Sequence, residues 1–474
     1  MLFNTWTFAA FFSICLIGAL GVAKKVRGQN LWLLGLSYLF YGAWDPRFLA
    51  LIWLSTLVDF GLGLRMASRE GAARKQLAWI SVVVNLGILG IFKYCGFFVE
   101  SAASLLRSVG LDPHLPVLEI VLPVGISFYT FQTLAYAIDV ARGRIEACRD
   151  LSQFALYVCY FPQLVAGPIE RAERLLPQLA VARRFDLDRA ISGGQLILIG
   201  LCRKVLIADV AARSVDRAFE DPGEYDALWL SRAALLFSLQ IYGDFAGYSD
   251  MARGTSRVLG IELMQNFRRP YFATSITDFW RRWHISLSQW LRDYLYIPLG
   301  GNRGTKWFCA RNLLLTMLIG GLWHGAAWTF VAWGAIHGLA LSVDKFVLGR
   351  QQTNNPTDRS RRHVLATNAV GWATTMLVVG IAWVFFRAPD FATAFAVLEG
   401  IASLEFTPDP GALKLPAMLL GVLLLIDLPQ ALARRDDAVL TWPWPMQSLA
   451  HACAILALVI FGGTDGPEFL YFQF

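Results

Sequence analysis

Apolar residues come in runs, most of them approaching the length of about 20 residues that one helix needs to cross a bilayer, separated by short charged loops. No stretch alternates apolar and polar positions as the strands of a membrane barrel do. The pattern predicts an all-α polytopic membrane protein, because only helices and closed barrels satisfy their backbone groups in lipid. The first runs are about Leu2 to Ala23, Leu31 to Trp44 and Phe48 to Leu64, the last two joined by a tight Asp45-Pro46-Arg47 turn. Leu77 to Val99 and Val117 to Val140 follow, on either side of a loop with Pro113 and Pro116. Leu151 to Pro168 is apolar but broken by Pro162 and by Gly167-Pro168. Ile191 to Ala212 and a run from Trp229 to about Arg253 come next, then a polar and aromatic tract, Phe267 to Lys306. Asn312 to His337 is apolar again, and about Val364 to Phe386, Pro416 to Ala433 and Ala450 to Phe461 complete the set.

Charge gives these runs a direction. Lys and Arg collect in cytoplasmic loops, and here they cluster at Arg65 to Lys75, Arg142 to Arg149, Arg171 to Arg189 and Arg350 to Arg362. The first run lacks a basic stretch in front and is followed by Lys24, Lys25 and Arg27, so it reads as a retained span with its N-terminus outside. Basic flanks on both sides of Leu151 to Pro168 imply a re-entrant segment. Asn312 to His337 also begins and ends beside basic residues, so it should dip in and return. Acidic residues at Glu220 to Asp226 and at Asp390 to Asp409 fall outside. Within Phe267 to Lys306, Arg281, Arg282 and Arg292 alternate with Trp280, Trp283 and Trp290, as suits interfacial helices on the cytoplasmic leaflet. Arg203 and Lys204 depart from the scheme, since they interrupt an apolar run. The whole predicts a single membrane domain over residues 1–474 with a core at about 117–345, and a bundle of about 10–12 spans with re-entrant segments and interfacial helices.

Composition agrees. The chain is 56% hydrophobic and 16% charged, against roughly a quarter charged in soluble proteins. Its net charge of +7 lies in topology loops without a nucleic-acid-binding motif, so no nucleic-acid partner is expected. The seven cysteines are scattered, with no C-x-x-C and no histidine at ligand spacing, so neither a disulfide frame nor a metal site is expected. There is no G-x-S-x-G elbow, Walker loop, H-E-x-x-H or regular Arg-bearing sensor helix, which disfavours a serine hydrolase, an ATP-driven pump and a voltage-gated channel.

The chemistry concentrates on histidines. His324 follows about ten nearly unbroken apolar residues and precedes about ten more, which puts a group that titrates near neutrality at membrane depth, near the top of the predicted hairpin. It either hydrogen-bonds a backbone carbonyl between packed helices or serves as a general base toward a hydroxyl. Gly320, Gly321 and Gly325 would let backbones or a thin ligand approach it, and Trp323 and Trp328 could wall it. His284 lies in the cytoplasmic tract, either as an interfacial residue among anchoring tryptophans or beside Arg281 and Arg282 as part of a site for a phosphorylated carrier such as a coenzyme. His337 lies thirteen residues after His324, roughly 220° of net rotation on one continuous helix, and reads as structural.

Five pieces carry a resemblance: LPVGISFYTFQTLAYAIDV (Leu122 to Val140), YFPQLVAGPIERA (Tyr160 to Ala172), FAGYSDMARG (Phe245 to Gly254), FWRRWHISLSQWLRDYLYIPLGGNRG (Phe279 to Gly304) and GGLWHGAAWTFVAWGAIHG (Gly320 to Gly338). In order and wording they resemble the membrane-bound O-acyltransferase superfamily, and within it the bacterial type that acts in alginate O-acetylation. The resemblance implies that His324 is the catalytic histidine and His284 the second polar position. It implies an inner-membrane O-acetyltransferase with acetyl-coenzyme A, or an acyl carrier, as donor on the cytoplasmic side and no permanently bound cofactor. Arg281, Arg282 and Trp323 would then contact the donor, and a periplasmic acetyltransferase partner and a polysaccharide would receive the acetyl group. Alginate, cellulose, another exopolysaccharide, peptidoglycan and a lipid all remain open as acceptor. D-alanyl remains open as the acyl group, and a transporter or flippase for a polysaccharide or lipid precursor is the rival reading.

Overall fold

The computed structural model describes residues 3–22, 25–111, 121–165, 167–348, 361–462 and 469–470, and among these every regular element is a helix. The expected loop with Pro113 and Pro116, the first residues of the run from Val117, and most of the basic loop from Arg350 lie outside the described residues. Five described helical stretches are long and apolar enough to cross a bilayer: Pro46–Ala67, Gly71–Ser108, Leu365–Arg387, Lys414–Ala433 and Trp444–Phe461. Trp6–Ala19 and Phe391–Ala402 are shorter apolar helices. This is a multi-pass membrane protein. The described chain forms two compact units, Met1–Ile197 with Met251–Met264, and Leu198–Asp250 with Gln265–Phe474.

In the first unit the turn expected at Asp45 forms because its carboxylate accepts the Arg47 N–H at 2.9 Å and pairs with the same residue's guanidinium at 2.6 Å, while Pro46 opens a short 3-10 turn. Helix Leu49–Ala67 is held to helices Gly71–Leu89 and Ile126–Ala141 by a buried polar knot. There Asn85 Nδ2 donates to Asp59 at 2.8 Å, and the hydroxyls of Ser55 and Thr133 donate to Asn85 Oδ1 at 2.9 and 3.1 Å. Polar groups at this depth must find partners inside the protein, and these do. The expected break in Leu151 to Pro168 is present: helix Leu151–Cys159 stops at Tyr160, and Pro162, which has no N–H to give, sits in the first turn of the next piece, Phe161–Leu164. Just beyond, Glu170 is fully buried and accepts the Met264 N–H. Burial raises its carboxyl to about 7, against the partial relief of Arg174 and Arg253.

In the second unit the chain leaves helix Leu187–Leu201 through a π-helical turn, Cys202–Ala208, into helix Asp209–Glu220. Arg203 and Lys204, the two cations that interrupt the apolar run, lie in that turn and are each paired twice. Arg203 bridges Asp250 and Asp427, and Lys204 bridges Asp209 and Asp244 at 2.8 Å each. Tyr242 O–H donates to Asp427 at 2.8 Å. Isolated charges would be prohibitive here, and the mutual pairing is what allows them inside. Helices Lys306–His324 and Trp328–Phe346 form the hairpin expected around His324. Their backbones nearly touch: a Cβ on Gly321 would lie 2.2 Å from the Phe330 carbonyl oxygen, and one on Gly334 would lie 2.3 Å from that of Met317. Gly321 and Gly334 therefore serve close backbone packing, while Gly325 makes room for the Phe330 ring.

Candidate active site

Two short helices, Ile276–Arg282 and Ile285–Leu291, lie with the two residues that join them in the aromatic tract before the hairpin. They turn Trp280, Trp283 and Trp290 inward, all buried. His284 links the helices in a left-handed conformation, φ 40° and ψ 56°, one that residues other than glycine adopt infrequently. Asn266 pins this bend. Its carbonyl oxygen accepts the Ile285 N–H at 2.9 Å, and its side-chain oxygen accepts the Ser286 hydroxyl at 2.6 Å. In turn, Asn266 Nδ2 donates to the Ser249 hydroxyl at 3.2 Å. The bend drives the imidazole into the interior, where it is fully buried. Burial alone pushes His284 down to about 3, so the ring is neutral throughout the physiological range.

His324 is the last residue of its helix. Gly325 follows in an extended conformation, and the chain turns back into Trp328–Phe346 within three residues. The turn presents His324 to His284: their ring centroids lie 6.2 Å apart at 60°. Trp323 stands edge-on to both, 5.8 Å from His284 and 5.0 Å from His324. Phe245 closes on His284 at 4.7 Å, while Trp333 and Phe386 close on His324 at 4.9 and 5.4 Å. His324 retains 4% exposure. Two imidazoles are thus confined in an aromatic box that excludes bulk water, where a nitrogen lone pair competes with few other acceptors for a hydroxyl proton.

The structure brings together His284, His324 and Trp323. Arg281 and Arg282 are placed differently. Arg281 is exposed, and Arg282 Nε pairs with Asp278 at 2.9 Å, so both guanidiniums belong to the rim of the helix whose continuation buries His284. Trp328 is 55% exposed at the start of its helix. His337 and His324 do not share one continuous helix, because the helix ends at His324 and a new one begins at Trp328. His337 instead sits one turn after Trp333 on the second helix, with that indole 4.9 Å from His324 and 4.8 Å from His337.

Sequence reasoning missed Phe245, Trp333, Phe386 and Asn266. Trp333 was within reach as the next tryptophan of the same motif, but its facing depended on where the helix breaks. No local signal marked Phe245 or Phe386, which reach the histidines from helices Ala227–Val258 and Arg361–Arg387.

A model of the membrane-bound O-acyltransferase family matches residues 148–386, a stretch that includes all of the histidine cluster. Over its full length the chain is 37% identical to an Azotobacter vinelandii protein named "Probable alginate O-acetylase AlgI", all of which it covers. A Pseudomonas aeruginosa protein of the same name is 42% identical over 85% of this chain and 75% of its own length. The Helicobacter pylori protein named "Peptidoglycan O-acetyltransferase" is 37% identical over 85% of this chain and 80% of its own.

Proposed function

This chain belongs to the membrane-bound O-acyltransferase family, and on that premise we propose that it carries an acetyl group from cytoplasmic acetyl-coenzyme A across the inner membrane for O-acetylation of an exopolysaccharide such as alginate. It is an acyltransferase embedded in the membrane by several helices. The observation that supports the finer reading is the 6.2 Å pairing of His284 with His324 at the turn of a buried hairpin. In this reading His324 takes the proton of the attacking hydroxyl as its oxygen bonds to the thioester carbonyl carbon. The same proton then goes to the departing thiolate, so the imidazole ends as it began. His284, held neutral, orients the reacting groups without adding a charge. Trp323 lines the space between the imidazoles, and Arg281, exposed beside Arg282, meets the phosphates of the donor.

The N-terminus lies outside, and a periplasmic acetyltransferase partner receives the acetyl group before the polymer does. The alginate name of the relatives identical at 37% and 42% over most of the chain favours a polyuronate over peptidoglycan as the final acceptor. Purified protein in nanodiscs, given acetyl-coenzyme A together with alginate oligosaccharides or peptidoglycan fragments and a periplasmic protein extract, tests this. Coenzyme A release that rises with alginate oligosaccharides is the expected result. Release that rises only with peptidoglycan fragments would reassign the acceptor, and release in no combination would remove acetyl-coenzyme A as donor.

A further inference from the structure

His337 is fully buried and takes no part in the proton transfer assigned to His324. Its ring is set by three neighbours. Phe279 stacks parallel to it at 6.1 Å, and Trp280 and Trp333 meet it edge to face at 5.1 and 4.8 Å. The Trp280 indole N–H donates to His337 Nδ1 over 3.3 Å. An indole nitrogen can only donate, so Nδ1 must hold the lone pair and the ring proton must sit on Nε2. His337 is therefore a fixed, neutral donor.

Among the described residues, Nε2 of His337 has no acceptor. The same is true of the indole Nε1 of Trp333, four residues earlier and on the same helix face, also fully buried. Native interiors seldom leave buried donors without acceptors, and when they do a catalytic role is among the explanations to examine. The two rings are 4.8 Å apart, and Trp333 lies 4.9 Å from His324. The orphaned donors thus sit one ring away from the base and on the helix that follows it.

We infer that Trp333 and His337 bind the oxyanion of the acyl transfer, their two N–H groups donating to the acyl carbonyl oxygen as charge develops on it. The inference rests on the proposed thioester-to-hydroxyl transfer. As the hydroxyl oxygen bonds to the carbonyl carbon and His324 takes its proton, the carbonyl π electrons move onto oxygen. Donors already in place stabilise that oxygen without reorganising. When the C=O bond reforms, the C–S bond breaks and the thiolate leaves with the proton returned by His324, so charge and atoms balance. Neutral donors suit an apolar box, since no counter-charge must be buried when the site is at rest.

The test is steady-state transfer from acetyl-coenzyme A by the full chain in nanodiscs with its acceptor system, comparing His337→Phe, His337→Gln, Trp333→Phe and the double Phe variant, with His324→Ala in parallel. His337→Phe keeps a ring but no donor, and should lower kcat by about 10²- to 10³-fold with KM within about threefold. Trp333→Phe should lower kcat at least about tenfold, and the double variant should lose less than the product of the two, because both donors serve one oxygen. His337→Gln restores an N–H near the Nε2 position and should recover at least about tenfold over Phe, a rescue that a packing role would not give. A kcat within about twofold of wild type in both Phe variants, a loss confined to KM, or no advantage of Gln over Phe would overturn the inference. Should His337→Phe fail to fold, Trp333→Phe decides, since it retains most of its ring. An active His324→Ala would remove the underlying reading, whereas an inactive His324→Ala beside fully active Phe variants would remove the oxyanion role alone.

Discussion

Around Arg203 and Lys204, two buried cations meet four carboxylates, those of Asp250, Asp427, Asp209 and Asp244. Around His284 and His324 the neighbours are rings: Phe245, Trp323, Trp333 and Phe386. Both groups are polar and both are buried in the second unit, yet they solve the problem of buried polarity in opposite ways. The first neutralises formal charge by pairing, and its partners come from helices far apart in sequence, so it ties the unit together. The second holds its two imidazoles among aromatic rings, and burial keeps His284 uncharged there. A compensated cluster is a clamp, whereas an imidazole pair walled by rings can exchange a proton with a ligand. The difference predicts that substitutions in the first act on stability and those in the second on turnover.

The largest effect on folding should come from Arg203→Ala. It leaves Asp250 and Asp427 buried without their cation, a loss of about 3–5 kcal/mol, read as a lower melting temperature in nanodiscs and a lower yield of folded protein. Adding Asp250→Asn and Asp427→Asn should recover much of it; equal melting of wild type and the single variant would show that the clamp is not one. Next is Gly321→Ala, whose Cβ would fall 2.2 Å from the Phe330 carbonyl oxygen and must spread the hairpin. We expect about 1–3 kcal/mol of destabilisation together with impaired turnover, since the same turn positions His324. Unchanged melting and rate would mean the hairpin tolerates separation.

Glu170 sharpens the comparison from the first unit, as a buried carboxyl only partly compensated. Its ordinary value is 4.5 and burial raises it to about 7 in the fold. The folded state thus holds a proton that the unfolded state releases between those values, so stability falls as pH rises through that window and levels off above about 7. Glu170→Gln should flatten the decline, by on the order of 1–3 kcal/mol at pH 8, and parallel melting curves of wild type and variant from pH 5 to 8 would refute it. The smallest effect belongs to Arg281→Ala. An exposed contact with a donor phosphate contributes about 1 kcal/mol, so KM for acetyl-coenzyme A should rise about fivefold with kcat unchanged. No change in KM would place the donor elsewhere.

Much of this could be read from the chain. The Asp45 turn, the break at Pro162 and the hairpin about His324 follow from local rules that depend on proline, capping side chains and charge at the ends of apolar runs. His324 stood out by residue type and depth, and His284 by residue type and its basic neighbours Arg281 and Arg282. Their meeting did not, because it depends on the left-handed bend at His284 and on Asn266 holding it, and no periodicity encodes either. Arg203 and Lys204 were visible as an anomaly in hydropathy, but Asp427 lies 224 residues from Arg203, and a single sequence does not connect them. For His337 the reading failed on a premise: the periodicity of one helix was applied across Gly325, where the helix ends.

The direct measurement is coenzyme A release from acetyl-coenzyme A by wild-type protein and by His324→Ala, each with its melting temperature recorded in the same nanodiscs. The account predicts a rate lowered by about 10²- to 10⁴-fold in the variant, with melting nearly unchanged. A variant that melts like wild type and releases coenzyme A at close to the wild-type rate would contradict the claim that the histidine pair performs the transfer.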